Sequence, residues 1–153
     1  MSTPTARRCT SRIAATTTLR ELITNSAAET EAEGEKLGAQ LKPGDLLLLA
    51  GPLGAGKTTF VRGLARGAGS DALVASPTFQ LVRVYPGRVT LAHVDLYRVK
   101  VAAELLDLGL DELLDEGAVV VEWGDRLVAK HGRLITFEPL GGDRRRLVFA
   151  DGS

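Results

Sequence analysis

The octapeptide Gly51-Pro52-Leu53-Gly54-Ala55-Gly56-Lys57-Thr58 limits what this chain can fold into more than any other feature. It fits the pattern G-x-x-x-x-G-K-[ST] without a gap. Before it stands an unbroken apolar run, Leu46 to Ala50, of a length and character that suit a strand covered on both faces. After it, Thr58 to Ala68 reads as a helix ended near Gly67 or Gly69. The glycines let backbone N–H groups turn inward and form an anion-binding concavity. The helix that follows aims its positive end at the same point. Lys57 is then placed to reach the β and γ phosphates of a bound nucleotide, and the Thr58 hydroxyl to ligate Mg²⁺. A glycine-rich turn that binds nothing would not require the full match in this strand-and-helix setting. The expected ligand is therefore ATP with Mg²⁺. No N-K-x-D guanine-reading sequence occurs, which disfavours a GTPase of the Ras type.

The rest of the chain supplies the frame. Thr17 to Ile23 reads as a first strand. Ser26 and Glu29 have capping-box spacing and open a helix to about Leu41, stopped by Pro43-Gly44. Phe79 to Tyr85 and Val89 to Val94 flank Pro86-Gly87 and read as a hairpin, so the sheet should be mixed. Ala102 to Leu106 and Asp111 to Leu114 read as helical. Ala118 to Val121 is another buried strand, ending at Glu122, and Trp123 to Lys130 reads as a helix. Leu134 to Glu138 and Arg146 to Phe149 are late strands joined through Pro139 and Gly141-Gly142. Interleaved strands and helices without a linker or repeat predict one α/β domain, a P-loop NTPase with a mixed β-sheet flanked by helices. That domain is expected over residues 21–153, and 1–20 as a flexible basic extension.

A phosphate loop also needs an acid near its metal. Asp95 ends the strand containing Leu91 and Val94, and Glu122 ends Val119-Val120-Val121. Carboxylates at the carboxyl ends of strands in an open α/β sheet lie at the ligand crevice. Either one can hold Mg²⁺ or orient the attacking water, and the sequence leaves open which is the direct ligand. The catalytic candidates are thus Lys57, Asp95 and Glu122, and the metal candidates Thr58, Asp95 and Glu122. Ser76-Pro77-Thr78 lies in the interval where switch proteins use a hydroxyl to sense the γ-phosphate and metal, with ordinary turn chemistry as the alternative. His93 reads as a structural strand histidine rather than a general base. Arg144-Arg145-Arg146 reads as a charged edge-strand face, with tRNA contact as the alternative. The acid-rich stretch Asp107 to Glu116 reads as a solvated helix face, or else a docking surface.

Charge and composition bound the partners. Nineteen basic residues balance 19 acidic ones, so the net charge is zero. Free-standing nucleic-acid binders carry a basic excess, so any contact with RNA is expected to use a local patch or a partner protein. One cysteine, Cys9, gives no intrachain disulfide and no cysteine zinc site. No apolar run approaches the roughly 20 residues of a membrane span. A cytoplasmic location is expected. Met1 to Arg20, with four arginines and no acid, keeps an organellar address as the alternative.

Four segments, taken in order and spacing, resemble one family: Gly51 to Thr59, Ser76-Pro77-Thr78-Phe79, His93-Val94-Asp95-Leu96-Tyr97-Arg98, and Glu122-Trp123. Together they resemble the TsaE (YjeE-type) P-loop ATPases of tRNA threonylcarbamoyladenosine biosynthesis, over about Ala28 to Phe149. The resemblance implies an ATPase that serves modification of the adenosine next to the anticodon. It implies that this ATPase acts with TsaD- and TsaB-like proteins and resets the complex between rounds. It further implies metal roles for Thr58 and Asp95, Glu122 as the second acidic position, Trp123 close to the nucleotide, and Thr78 in the switch-like segment. The nucleotide-binding set is then Gly51, Gly54, Ala55, Gly56, Lys57, Thr58, Thr59, Thr78 and Trp123. One departure is visible: Pro52 stands where the family usually has Asp, and it supplies neither a carboxylate nor an N–H. Competing functions are a nucleotide-gated binding module with negligible turnover and a small-molecule kinase.

Overall fold

The computed structural model describes residues 18–52, 54–71, 74, 82–95, 109–123 and 132–151. Among them the elements are β1 (Thr18–Thr24), α1 (Ala27–Gly38), β2 (Leu46–Ala50), α2 (Lys57–Gly67) and β3 (Val82–Tyr85). Then follow β4 (Leu91–Asp95), α3 (Leu110–Glu116), β5 (Ala118–Glu122), β6 (Arg133–Gly141) and β7 (Arg144–Asp151). The strands form one sheet of order β1-β7-β6-β2-β5-β4-β3. β2 pairs in parallel with both β6 and β5, and β4 pairs in parallel with β5. The β3–β4, β6–β7 and β1–β7 pairs are antiparallel. The expected mixed sheet is thus present, with a parallel centre and antiparallel flanks.

The continuous apolar strands sit where both faces are covered. All five residues of β2 and all five of β5 are buried. Alternation divides them between two cores. Leu47, Leu49 and Val120 join Leu91, Ile135 and Phe137 beneath Phe60, Val61 and Leu64 of α2. Leu46, Leu48, Val119 and Val121 join Ala92 and Val94 beneath Leu110 of α3. Each leucine, isoleucine, valine or phenylalanine among them contributes about 1.5–3 kcal/mol on burial. Phe60 meets Phe137 edge to face, with ring centroids 5.3 Å apart, and this fixes α2 over β6.

The two helices on the first face meet through a seam of glycines. Gly34 and Gly38 of α1 face Gly63 and Gly67 of α2. A Cβ on Gly34 would lie 2.2 Å from the Phe60 carbonyl oxygen, and one on Gly63 would lie 1.9 Å from that of Glu31. The backbones therefore touch directly. Arg66 clasps the seam, pairing with Glu31 and, at 3.4 Å, with Glu35. The hydrogen bond to Glu31 pushes the Arg66 guanidinium further above its ordinary range. At the start of α1, the Ser26 hydroxyl accepts the Glu29 N–H at 3.1 Å, the expected cap. The Glu29 carboxylate reaches back to the Asn25 N–H at 2.8 Å. The helix stops at Gly38 rather than Leu41, which is nonetheless fully buried.

The late strands run longer than the sequence indicates and form a hairpin with a bulge between Pro139 and Gly141. β7 is not an edge strand, because β1 pairs along its outer side from Thr18↔Asp151 to Thr24↔Arg145. Trp123 does not begin a helix either, since its φ of 63° is left-handed. The expected segments at Ser76–Phe79, Ala102–Leu106 and Gly124–Lys130 lie outside the described residues.

Candidate nucleotide site

The loop between β2 and α2 sits at the carboxyl end of the central strand, between β6 on one side and β5 on the other. Its shape depends on glycine at two points. A Cβ on Gly51, at φ 141°, would come 2.5 Å from the Phe137 carbonyl oxygen. Gly56 is the N-cap of α2 in the left-handed region, with no side chain capping the helix. A helix N-terminus opened by glycine in this way favours an anion in front of it. Ala55 is fully buried beneath the loop.

Lys57 is 5% exposed and folds back on its own loop. Its ammonium donates to the Gly51 carbonyl and, at 3.2 Å, to the Pro52 carbonyl. It also lies 3.7 Å over the centroid of the Trp123 ring. Pro52 thus serves through its carbonyl, which accepts the Ala55 N–H at 3.2 Å as well. The left-handed backbone of Trp123, costing about 1–2 kcal/mol, carries the indole to this position. A desolvated cation on tryptophan contributes about 2 kcal/mol in return.

The acids come from the neighbouring strands. Asp95 and Glu122 are direct register partners at the carboxyl ends of β4 and β5, so both side chains leave the sheet on the same face. Glu122 is 4% exposed, and its two carboxylate oxygens lie 3.4 and 3.3 Å from the Thr58 hydroxyl. His93, fully buried, stands behind it with Nε2 at 2.5 Å from the Glu122 carboxylate. Its Nδ1 lies 3.2 Å from the Tyr85 hydroxyl. With the Nε2 proton donated to Glu122, Nδ1 accepts from Tyr85, and every polar atom of this buried chain is satisfied. The group that His93 supports is thus the candidate acid.

Gly51, Gly54, Ala55, Gly56, Lys57, Thr58 and Thr59 follow one another along the loop and the first turn of α2, with Trp123 against Lys57, Glu122 against Thr58, and Asp95 in register beside Glu122. Thr78 lies outside the described residues, as does Arg98. Two participants had no sequence signal of their own. Tyr85 reaches His93 only because β3 and β4 pair. Arg145 reaches the loop across the sheet, donating to the Gly54 carbonyl at 3.0 Å. The alternation of Arg144, Arg145 and Arg146 along a strand hints at separate roles. Arg144 goes to Asn25, and Arg146 pairs with Glu138 at 3.1 Å and Glu21 at 3.6 Å.

The oxygen donors at the crevice suit Mg²⁺, which is held by one or two protein oxygens together with phosphates and water. No group of three or more His, Cys, Asp or Glu able to hold a metal by itself occurs among the described residues. Thr58 lies within hydrogen-bond reach of Glu122, and Asp95 is the register partner of Glu122, so these are the oxygen-bearing side chains that could hold such an ion.

A parallel-centred sheet with a glycine loop leading into a helix, and carboxylates at the ends of adjacent strands, defines an α/β protein of the P-loop NTPase type. The sequence profile described as "Threonylcarbamoyl adenosine biosynthesis protein TsaE" matches residues 24–146. A relative from Treponema pallidum, named tRNA threonylcarbamoyladenosine biosynthesis protein TsaE, is 41% identical over 71% of this chain and 81% of its own. Relatives of the same name from Bacillus subtilis and Streptomyces coelicolor are 40% and 44% identical, covering 79% and 74% of this chain and 78% and 74% of theirs. The crystal structure of Bacillus subtilis YdiB superposes with a TM-score of 0.72 at 33% identity, covering 90% of this chain and 88% of that one. This chain belongs to the TsaE family. No helix among the described residues is long and apolar enough to cross a membrane.

Proposed function

We propose that this protein is the ATP-binding and ATP-hydrolysing component of the machinery that makes threonylcarbamoyladenosine in tRNA. It acts with TsaD- and TsaB-like proteins and resets their complex between rounds. The observation that carries this reading is the buried Glu122 carboxylate held against the Thr58 hydroxyl at the end of the phosphate loop. Mg²⁺, bound with ATP, supplies charge neutralisation at the phosphates. Lys57 leaves the Gly51 and Pro52 carbonyls and takes up the β and γ phosphates. Thr58, Asp95 and Glu122 hold the ion or orient water, and His93 keeps Glu122 in place. Trp123 borders the nucleotide, and Thr78 senses the γ-phosphate.

Turnover is slow in the isolated chain. Among the described residues the arginine that touches the loop, Arg145, approaches from the β6–β7 side, whereas Glu122 lies on the β5 side. The γ-phosphate transition state therefore awaits charge from a partner. An arginine supplied in trans can raise such rates by about 10³ to 10⁵. With a net charge of zero, the chain steers tRNA poorly, so tRNA meets it through the complex. The setting is the cytoplasm.

Phosphate release measured for the chain alone, with tRNA alone, and with TsaD- and TsaB-like proteins tests the reading. Acceleration by the proteins and not by tRNA is expected. Rapid turnover alone, with no gain from the proteins, would point to a self-sufficient ATPase or a kinase. Absence of phosphate release in every mixture would leave a nucleotide-gated binding module.

A further inference from the structure

We propose that Arg145 is a nucleotide-binding residue that recognises the nucleoside 5′-phosphate end of the ligand, on the flank of the loop opposite the metal-side acids. The proposal rests on the reading of Gly51–Thr58 as an ATP site and adds a contact to it.

Three observations point there. First, the Arg145 stem is packed on the loop: a Cβ on Gly56 would lie 3.4 Å from its Nε and 3.7 Å from its Cγ, and as close to the Thr30 methyl. The guanidinium thus stands beside the residue whose backbone opens the α2 dipole. Second, the guanidinium has only neutral acceptors. One nitrogen donates to the Gly54 carbonyl at 3.0 Å. The other donates to the Gly142 and Arg144 carbonyls at 2.7 and 2.8 Å. Among the described residues no carboxylate pairs with it, whereas Arg66 and Arg146 both have carboxylate partners. Third, the hairpin holds the side chain ready. Gly141 and Gly142 turn the chain at positive φ, and the two hairpin carbonyls fix one guanidinium nitrogen close to its own backbone.

The flank decides which part of the ligand is met. Lys57, Trp123 and Glu122 mark the β- and γ-phosphate end, on the β5 side of β2. Arg145 arrives over β6, on the other side. A nucleotide laid along the loop with its terminal phosphates toward Thr58 and Glu122 presents its α-phosphate and nucleoside to Arg145. The guanidinium then exchanges the neutral Gly54 carbonyl for a phosphate oxygen. A charge-assisted bond of that kind is stronger than the neutral bond it replaces.

This geometry gives a signature that neither a γ-phosphate contact nor a loop buttress shares. Affinities of the full-length chain for ADP and for ATP-Mg²⁺ are measured by calorimetry for wild type, Arg145→Ala, Arg145→Gln and Arg144→Ala. Both Arg145 variants are expected to weaken ADP and ATP by the same factor, about tenfold. Arg144→Ala removes an equal charge one residue away and is expected to match wild type. Glutamine keeps an amide donor for the loop but no charge. Wild-type affinity in Arg145→Gln would therefore make the side chain a buttress and overturn the proposal. A loss confined to ATP would place it on the γ-phosphate instead, and an equal loss in Arg144→Ala would reduce it to a general charge effect. If wild type binds neither nucleotide, it is the P-loop reading that fails. If wild type binds and both Arg145 variants bind equally well, only the present inference fails.

Discussion

Gly63→Ala sets local propensity against packing with opposite signs. In a helix interior alanine is favoured over glycine by about 1 kcal/mol, so propensity alone predicts a more stable protein. The seam between α1 and α2 predicts the reverse. A Cβ at Gly63 would sit 1.9 Å from the Glu31 oxygen, 2.7 Å from the Glu35 nitrogen and 2.9 Å from the Glu31 carbonyl carbon. All three are backbone atoms, so no side-chain rotation relieves the clash. A carbon–oxygen contact settles near about 3.3 Å, so α1 has to retreat by roughly 1.4 Å. A gap of even 0.5–1 Å forfeits about a quarter to a half of each dispersion contact across it. Phe60 and Leu64, both fully buried, flank that seam. Overpacking of this severity costs about 3 kcal/mol. Subtracting the propensity gain leaves a net loss of about 2 kcal/mol. For a chain of this size that lowers the melting temperature by about 4–8 °C. Thermal and urea denaturation followed by circular dichroism measure it. A melting temperature at or above wild type would refute the seam. Gly34→Ala opens the same seam, so the double variant should lose less than the sum of the singles.

Other perturbations address the crevice. Lys57→Ala removes the ammonium at the β and γ phosphates and should weaken ATP by about 10- to 100-fold in equilibrium binding; unchanged affinity would sink the P-loop assignment. Glu122→Gln should lower partner-stimulated hydrolysis by about 10²-fold or more while changing ATP affinity far less; an unaltered rate would move the role to Asp95. His93→Leu strips the buried Tyr85 hydroxyl and the Glu122 carboxylate of their ring partner. It should destabilise the fold by about 1–3 kcal/mol and slow turnover, and wild-type values of both would contradict the supporting role of His93.

Much of this was legible in the chain. β2 and β5 could be bounded from sequence because continuous apolar runs end abruptly at Gly51 and at Glu122. The phosphate loop is a local motif, and its residues meet in one place because a single turn holds them. What the sequence hid depends on strand order. β7 looked like an edge because its cover, β1, lies more than a hundred residues earlier in the chain. The glycines of α1 and α2 look like helix-weakening residues until the two helices are known to cross there. Trp123 opens a stretch that reads as helical, whereas its backbone is left-handed and its ring lies against the Lys57 ammonium. Arg145 was hidden among three arginines whose partners lie in different elements.

Tryptophan emission decides whether Gly51–Thr58 is a Mg²⁺-ATP site coupled to Glu122 and Trp123. Trp123 is the only tryptophan in the chain, and the Lys57 ammonium lies 3.7 Å over its ring. Binding of ATP draws that ammonium onto the phosphates and so changes the field on the indole. Titration with ATP should give a saturable change in Trp123 fluorescence whose midpoint shifts to lower ATP when Mg²⁺ is added. A flat response at ATP concentrations shown by calorimetry to be saturating, or a midpoint indifferent to Mg²⁺, would contradict that assignment.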